Sequence, residues 1–172
     1  MYLALTAKDR LLGVALNDVG PVLEQSALDE IMHYLGRKPV AKTYEEAAAA
    51  LEHVSKGFAN VPKSRWMETA KTLFNATADG LDLTYDPKLR DAVAATFTAP
   101  VPEAWPLFDA MEGLPIALIH AANSDLLTRE SALRMKERRP DMVLTHVPDR
   151  GHIPYLDEPE SLAALREWIG ML

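Results

Sequence analysis

Two residues of this chain have the chemistry of a proton relay and occupy places where a relay can be assembled. Asp125 follows an apolar run, Pro115-Ile-Ala-Leu-Ile119, by way of Ala122-Asn-Ser-Asp125, and His152 follows a second, Met142-Val-Leu-Thr-His-Val147, by way of Asp149-Arg-Gly-His152. Both runs have the length and composition of buried strands. In an α/β protein the carboxyl ends of strands are where ligands and chemistry gather. A histidine there takes a proton from a nucleophile, while an aspartate fixes its tautomer and steadies the imidazolium that forms. Asp18 stands at a third such end, after Leu11 to Leu16, and is the alternative acid. Its bland reading is turn chemistry, because Asn17-Asp18-Val19-Gly20-Pro21 is a dense turn signal.

A relay of this kind serves a nucleophile, and that member is hard to find. Ser124 adjoins Asp125 on the same rim and is the substitute nearest to hand. Neither it nor Ser26, Ser55, Ser64, Ser131 or Ser161 lies in the G-x-S-x-G context that strains a serine outward at a strand-to-helix turn. The chain has no cysteine, so thiolate chemistry is excluded. What remains is Ser124, a serine from a partner chain with Ser26 as its source, or water activated directly by His152.

The other titratable residues read as structure. His120 ends one apolar run and His146 alternates with core positions in the other. His33 and His53 have no partners at metal-ligand spacing, so no metal site is expected. Neither a P-loop nor a dinucleotide fingerprint can be written onto the glycines, and no cofactor is expected. A net charge of −7 argues against a nucleic-acid partner. The densest basic cluster, Arg134-Met-Lys136-Glu-Arg138-Arg139, suits the last turn of a helix. No apolar stretch approaches membrane-spanning length, and the first residues carry their charges after the apolar ones, the reverse of a signal peptide. The expected setting is cytoplasmic.

The relay must be positioned by elements, and their order is legible. Leu11 to Leu16 reads as a short buried strand, with Gly13 marking a weak point or a close backbone approach. From Val22 to Phe97 the pattern is helical, broken by Gly36-Arg-Lys-Pro39, Asn60-Val-Pro62 and Asp79-Gly80; Thr43 and Glu46 form a capping box. Around Ala99-Pro-Val-Pro102 the chain reads as extended. Strand Pro115 to Ala121, helix Thr128 to Arg139, strand Met142 to Val147 and helix Pro159 to Leu172 then alternate, which implies parallel strands joined by crossovers. At 172 residues this fits a single domain, 1–172, with 22–97 as an insertion.

Leu16-Asn-Asp-Val-Gly-Pro21, Trp105-Pro-Leu-Phe-Asp-Ala-Met111, Ala121-Ala-Asn-Ser-Asp-Leu-Leu127 and Val147-Pro-Asp-Arg-Gly-His152, in this order and spacing, resemble the carboxyl-terminal part of an α/β-hydrolase of the carboxylesterase or lactonase type. The resemblance implies an α/β fold, a truncated hydrolase half with about three parallel strands, flanking helices and a helical cap. It implies Asp125 as triad acid, His152 as base, and a cap over 22–97 in which Tyr34, Trp66, Met67 and Phe74 face the substrate. The activity implied is hydrolysis of small carboxylic esters or lactones; the competing reading is a non-catalytic remnant that binds a small apolar ligand or a partner chain. The strand at Leu11 to Leu16 would have one bare edge, an aggregation hazard unless covered, so a homo-oligomer covering that edge is expected.

Overall fold

A computed structural model describes residues 1–96 and 103–172 of the chain. The expected extended segment at Ala99 to Pro102, and the end of the helical block at Phe97, lie outside the described residues. In chain order the elements are α1 (Leu3–Thr6), a 3-10 turn (Lys8–Arg10), β1 (Val14–Asn17), α2 (Gln25–Tyr34), α3 (Tyr44–Val54), α4 (Lys63–Leu73), β2 (Phe74–Thr77), β3 (Gly80–Leu83), α5 (Leu89–Thr96), α6 (Trp105–Asp109), β4 (Ile116–Ala121), α7 (Arg129–Arg138), β5 (Val143–Val147) and α8 (Pro159–Ile169). They fall into two compact units, one of Met1–Ala27 with Pro102–Leu172 and the other of Leu28–Val101.

The first unit is built on a parallel sheet in the order β1-β4-β5. Val14 lies opposite Ile116 and Asn17 opposite Ile119; Ala117 lies opposite Val143 and Ala121 opposite Val147. Every residue of β4 is buried, which is why its sequence is a continuous apolar run rather than an alternating one: a central parallel strand is covered on both faces. On one face Leu16, Ile116 and Leu118 pack with Phe108, Met111, Leu127, Ala132 and Met135. On the other Ala117, Ile119, Val143 and Val147 pack with Ala164, Leu165 and Trp168. Thr128 caps α7, its Oγ1 accepting from the Ser131 amide at 3.1 Å, and Pro159 opens α8 where no amide hydrogen is needed. The basic cluster closes α7: Arg138 donates to Asp109 at 2.7 Å, and Lys136 donates to the Pro140 carbonyl at 2.9 Å.

The first strand starts later than its apolar run. Lys8–Arg10 form a turn, Leu12 is 75% exposed, and only Val14–Asn17 pair with β4. Gly13 is where the backbone comes close to its neighbours, since a Cβ there would stand 2.9 Å from the Pro115 carbonyl oxygen and 3.1 Å from Trp168 Nε1.

The second unit is not helical throughout. β2 and β3 form an antiparallel hairpin, with Phe74 opposite Leu83 and Thr77 opposite Gly80. The break at Asp79-Gly80 therefore belongs to a hairpin, with Ala78 and Asp79 as its turn and Gly80 opening β3 at φ +128°, a conformation that suits glycine. Ala47, Ala48, Trp66, Ala70 and Leu81 make its core, with Met67, Phe74 and Phe58 packed against them. Thr43 Oγ1 accepts from the Glu46 amide at 3.2 Å, while Glu46 reaches back to the Lys42 amide at 2.7 Å, one residue before the position a capping box uses.

Candidate active site

β1 ends at Asn17, and the next residue turns out of the strand. Asp18 takes φ +52°, the left-handed region that Asp and Asn tolerate better than other side-chain-bearing residues. Its amide still donates to the Ile119 carbonyl at 2.8 Å, so the residue is anchored to β4 even as the chain leaves the sheet. Asp18 is 0% exposed. A carboxylate so placed needs partners, and it has them: Oδ1 accepts from the Ala121 amide at 2.8 Å, and Oδ2 lies 2.9 Å from His152 Nδ1.

The second contact decides the state of the histidine. A carboxylate oxygen can only accept, so Nδ1 carries the hydrogen, and the lone pair of the neutral ring is on Nε2. His152 retains 24% side-chain exposure, and among the described residues its Nε2 has no hydrogen-bond partner. The arrangement is that of an oriented base: the acid buried and fixed by a backbone amide, the ring held in one tautomer, the reactive nitrogen open.

Asp125, the acid expected from the sequence, is not the partner of His152. The loop after β4 is drawn inward beyond it, because Leu126 and Leu127 are buried in the core. Ser124 stabilises that bend by accepting from the amides of Leu126 at 3.2 Å and Leu127 at 3.0 Å. Asp125 is left exposed at the crest. Ser124, the substitute nucleophile, is engaged in this turn, and no hydrogen bond joins it to His152. Of the residues expected to face substrate, Trp66 is shut inside the core of the second unit, Met67 and Phe74 pack against that core, and Tyr34 is 62% exposed. Large apolar side chains at helical spacing are spent on the unit's own packing.

His120 and His146 lie opposite each other on β4 and β5. Their Nδ1 atoms are 2.9 Å apart, and His120 Nε2 is 3.0 Å from the Leu127 carbonyl oxygen. That carbonyl requires a hydrogen on His120 Nε2, which makes His120 Nδ1 an acceptor and His146 Nδ1 the donor. Burial pulls both imidazoles below the ordinary histidine value; the Asp18 charge partly offsets this for His120, and the neighbouring His120 adds to it for His146. Among the described residues no group of three or more His, Asp or Glu side chains could hold a metal ion, and no helix is long and apolar enough to cross a membrane.

An α/β hydrolase from Novosphingobium aromaticivorans superposes on 99% of this chain with a TM-score of 0.87 and 31% identity. The fold is that of the α/β hydrolases. A putative hydrolase from Rickettsia typhi superposes on 99% of the chain with a TM-score of 0.80 and 20% identity. In sequence the chain is 36% identical to a 3-hydroxybutyrate-oligomer hydrolase of Cupriavidus necator, matched over 95% of its own length. It spans 58% of that hydrolase, 61% of the Novosphingobium hydrolase and 57% of the Rickettsia one. No family model matches it.

Two features of this site depend on contacts between residues that lie apart in the chain. One is the choice between the two carboxylates: Asp18, the alternative acid, lies 134 residues from His152 and meets it because β1 pairs with β4 and β4 with β5. The other is the set of side chains that hold the His152 loop: Asn17, whose Nδ2 donates to the Pro154 carbonyl at 3.3 Å, and Glu158, which accepts from Arg150 Nε at 2.8 Å. The only signal for the second was a cation and an anion flanking His152 within one short loop.

Proposed function

We propose that this chain carries the acid–base half of an ester hydrolase of the α/β type, with His152 as general base, Asp18 as its orienting acid and a nucleophile supplied by a partner chain. The observation that carries this reading is the 2.9 Å contact between the buried Asp18 carboxylate and His152 Nδ1, with Nε2 left open. In the first step Nε2 takes the proton of the attacking hydroxyl as its oxygen bonds to the ester carbonyl carbon, and Asp18 stabilises the resulting imidazolium. The imidazolium then gives that proton to the departing alkoxide as the acyl–oxygen bond breaks. Water, deprotonated by the same nitrogen, releases the acid in the second half.

The substrate class we favour is small carboxylic esters, among them short 3-hydroxybutyrate oligomers, on the strength of the Cupriavidus hydrolase at 36% identity. β1 has a place in this reading too. Among the described residues only β4 pairs with it, which leaves its other edge bare, and Tyr2, Leu3, Leu5 and Leu12 nearby in sequence are exposed. A second copy of the chain covering that edge would remove an aggregation hazard.

Hydrolysis of p-nitrophenyl butyrate and of a 3-hydroxybutyrate dimer tests the proposal. Turnover is expected to be weak in the isolated chain, where water deprotonated by His152 must stand in for the hydroxyl nucleophile. It is expected to vanish in His152→Ala and to persist in Ser124→Ala. Equal turnover by wild type and His152→Ala overturns the assignment. A phosphonate label on Ser124 would instead make that serine the nucleophile, and a wholly inert chain that still binds an ester analogue would favour a ligand-binding remnant.

A further inference from the structure

We propose that Glu158 is a positioning residue for His152, a buried anionic clasp that closes the catalytic loop around it. The proposal rests on the reading of His152 as general base and adds the part that holds it.

His152 stands in the loop between Val147, where β5 ends, and Glu158, just before α8. Loops are mobile by default, yet a general base must be held to a fraction of an ångström. Glu158 is 6% exposed, and its contacts are distributed in a telling way. Oε1 accepts from Arg150 Nε at 2.8 Å and from the Tyr155 amide at 3.0 Å, donors that lie on either side of His152 in sequence. Oε2 accepts from the hydroxyl of Ser161 at 2.8 Å, itself wholly buried on α8. One carboxylate therefore gathers both flanks of the histidine and ties them to a helix. The Arg150 guanidinium also lies 5.5 Å from the centre of the Tyr155 ring.

Two further bonds fasten the loop to the sheet. The Arg150 carbonyl accepts from the Asn123 amide at 2.9 Å, and the Pro154 carbonyl accepts from Asn17 Nδ2 at 3.3 Å. Asn17 precedes Asp18, so the strand end that delivers the acid also holds the backbone two residues beyond the base.

A plainer role for Glu158 would be to cap α8, whose N-cap position it occupies. The carboxylate makes no such bond to the helix amides; its donors come from the loop and from the Ser161 hydroxyl. A buried ion pair is also a poor device for stability alone, because desolvation offsets most of the attraction. What several converging donors do secure is a single geometry. Burial pushes the Glu158 carboxyl up, but the Tyr155 amide, its own amide, Ser161 and Arg150 more than compensate, so it stays ionised with its acceptor sites filled.

The test reads the His152 ring by NMR in the full chain, through the solvent-exchange rate of the Nδ1 hydrogen that Asp18 accepts. Glu158→Ala should accelerate that exchange by about tenfold or more. Where ester turnover is measurable, it should lower kcat by up to about 100-fold with KM little changed. Glu158→Gln, which can still accept from Arg150 and Tyr155, should recover most of the loss. Ser161→Ala removes only the helix-side bond, so it should lower the unfolding midpoint and leave the exchange rate as in wild type. Should Glu158→Ala fail to fold, Arg150→Gln opens the loop side alone and carries the same expectation. Unchanged exchange in a folded Glu158→Ala or Arg150→Gln chain, or equal effects of Ser161→Ala and Glu158→Ala, overturns the clasp. Unchanged exchange in Asp18→Asn would show that the acid–base reading itself had failed.

Discussion

Replacing Asp18 by Asn separates the structural and the chemical work of that carboxylate. Oδ1 accepts from the Ala121 amide at 2.8 Å, and an amide oxygen in the same place preserves that bond. The fold should therefore tolerate Asp18→Asn within about 1 kcal/mol, whereas Asp18→Ala strands a buried amide hydrogen and should cost about 1–3 kcal/mol. The other oxygen is where the chemistry lies. At 2.9 Å from His152 Nδ1 it would become an NH2 donor, which requires Nδ1 to be an acceptor and moves the ring hydrogen to Nε2. The nitrogen that must take a proton then already holds one. Loss of the correct tautomer in an acid–base pair of this kind costs about 10⁴ in kcat, a magnitude taken from the serine protease triad. Two measurements follow: ester turnover, and the ¹⁵N shifts of the His152 ring, which exchange their protonated and unprotonated signatures when the tautomer inverts. Asp125→Asn is the control and should change neither, since Asp125 is exposed and separate from His152. Activity that survives Asp18→Asn and disappears in Asp125→Asn would refute the reasoning.

Three other outcomes are expected. His120 and His146 are held below the ordinary histidine value of 6.5 chiefly by burial, so the unfolded chain binds more protons than the folded one once the pH drops below that value. Stability should therefore fall as pH is lowered from about 6.5, by at most about 1.4 kcal/mol per pH unit for His120, and urea midpoints at pH 7.5 and 5.5 should converge in a His120→Met/His146→Leu chain. Arg139→Ala removes donors to the Met111 and Leu114 carbonyls, both at 2.8 Å, and breaks the pair with Asp141. The expected loss is about 3 kcal/mol, seen as a urea midpoint lower by about 1–2 M, and an unchanged midpoint would show that this buried guanidinium is dispensable. Sedimentation at micromolar concentration should find an assembly larger than the monomer, and a monomer would remove the proposal that a second copy covers β1.

The relation between this sequence and its structure divides along a physical line. Properties that depend on neighbours in the chain were legible: the continuous apolar run of β4, the Thr128 cap of α7, the proline opening α8, and the placement of His152 just beyond a strand. Gly13 allowed two readings, a weak point or a close approach, and the neighbours of its backbone decide for the second. The hairpin at β2 and β3 was missed because the helical period of the flanking segments masked two short alternating stretches around Asp79-Gly80. What no local pattern could supply was which carboxylate meets His152. That is decided by strand order, since β1 lies beside β4, and by the burial of Leu126 and Leu127, which draws the loop inward and leaves Asp125 at its crest. Residue types and spacing placed aspartates and a histidine at the ends of parallel strands. Only the tertiary structure chose Asp18 and closed Glu158 around the histidine, because hydrogen bonds between distant residues depend on where backbones come to rest, not on the order in which side chains are strung.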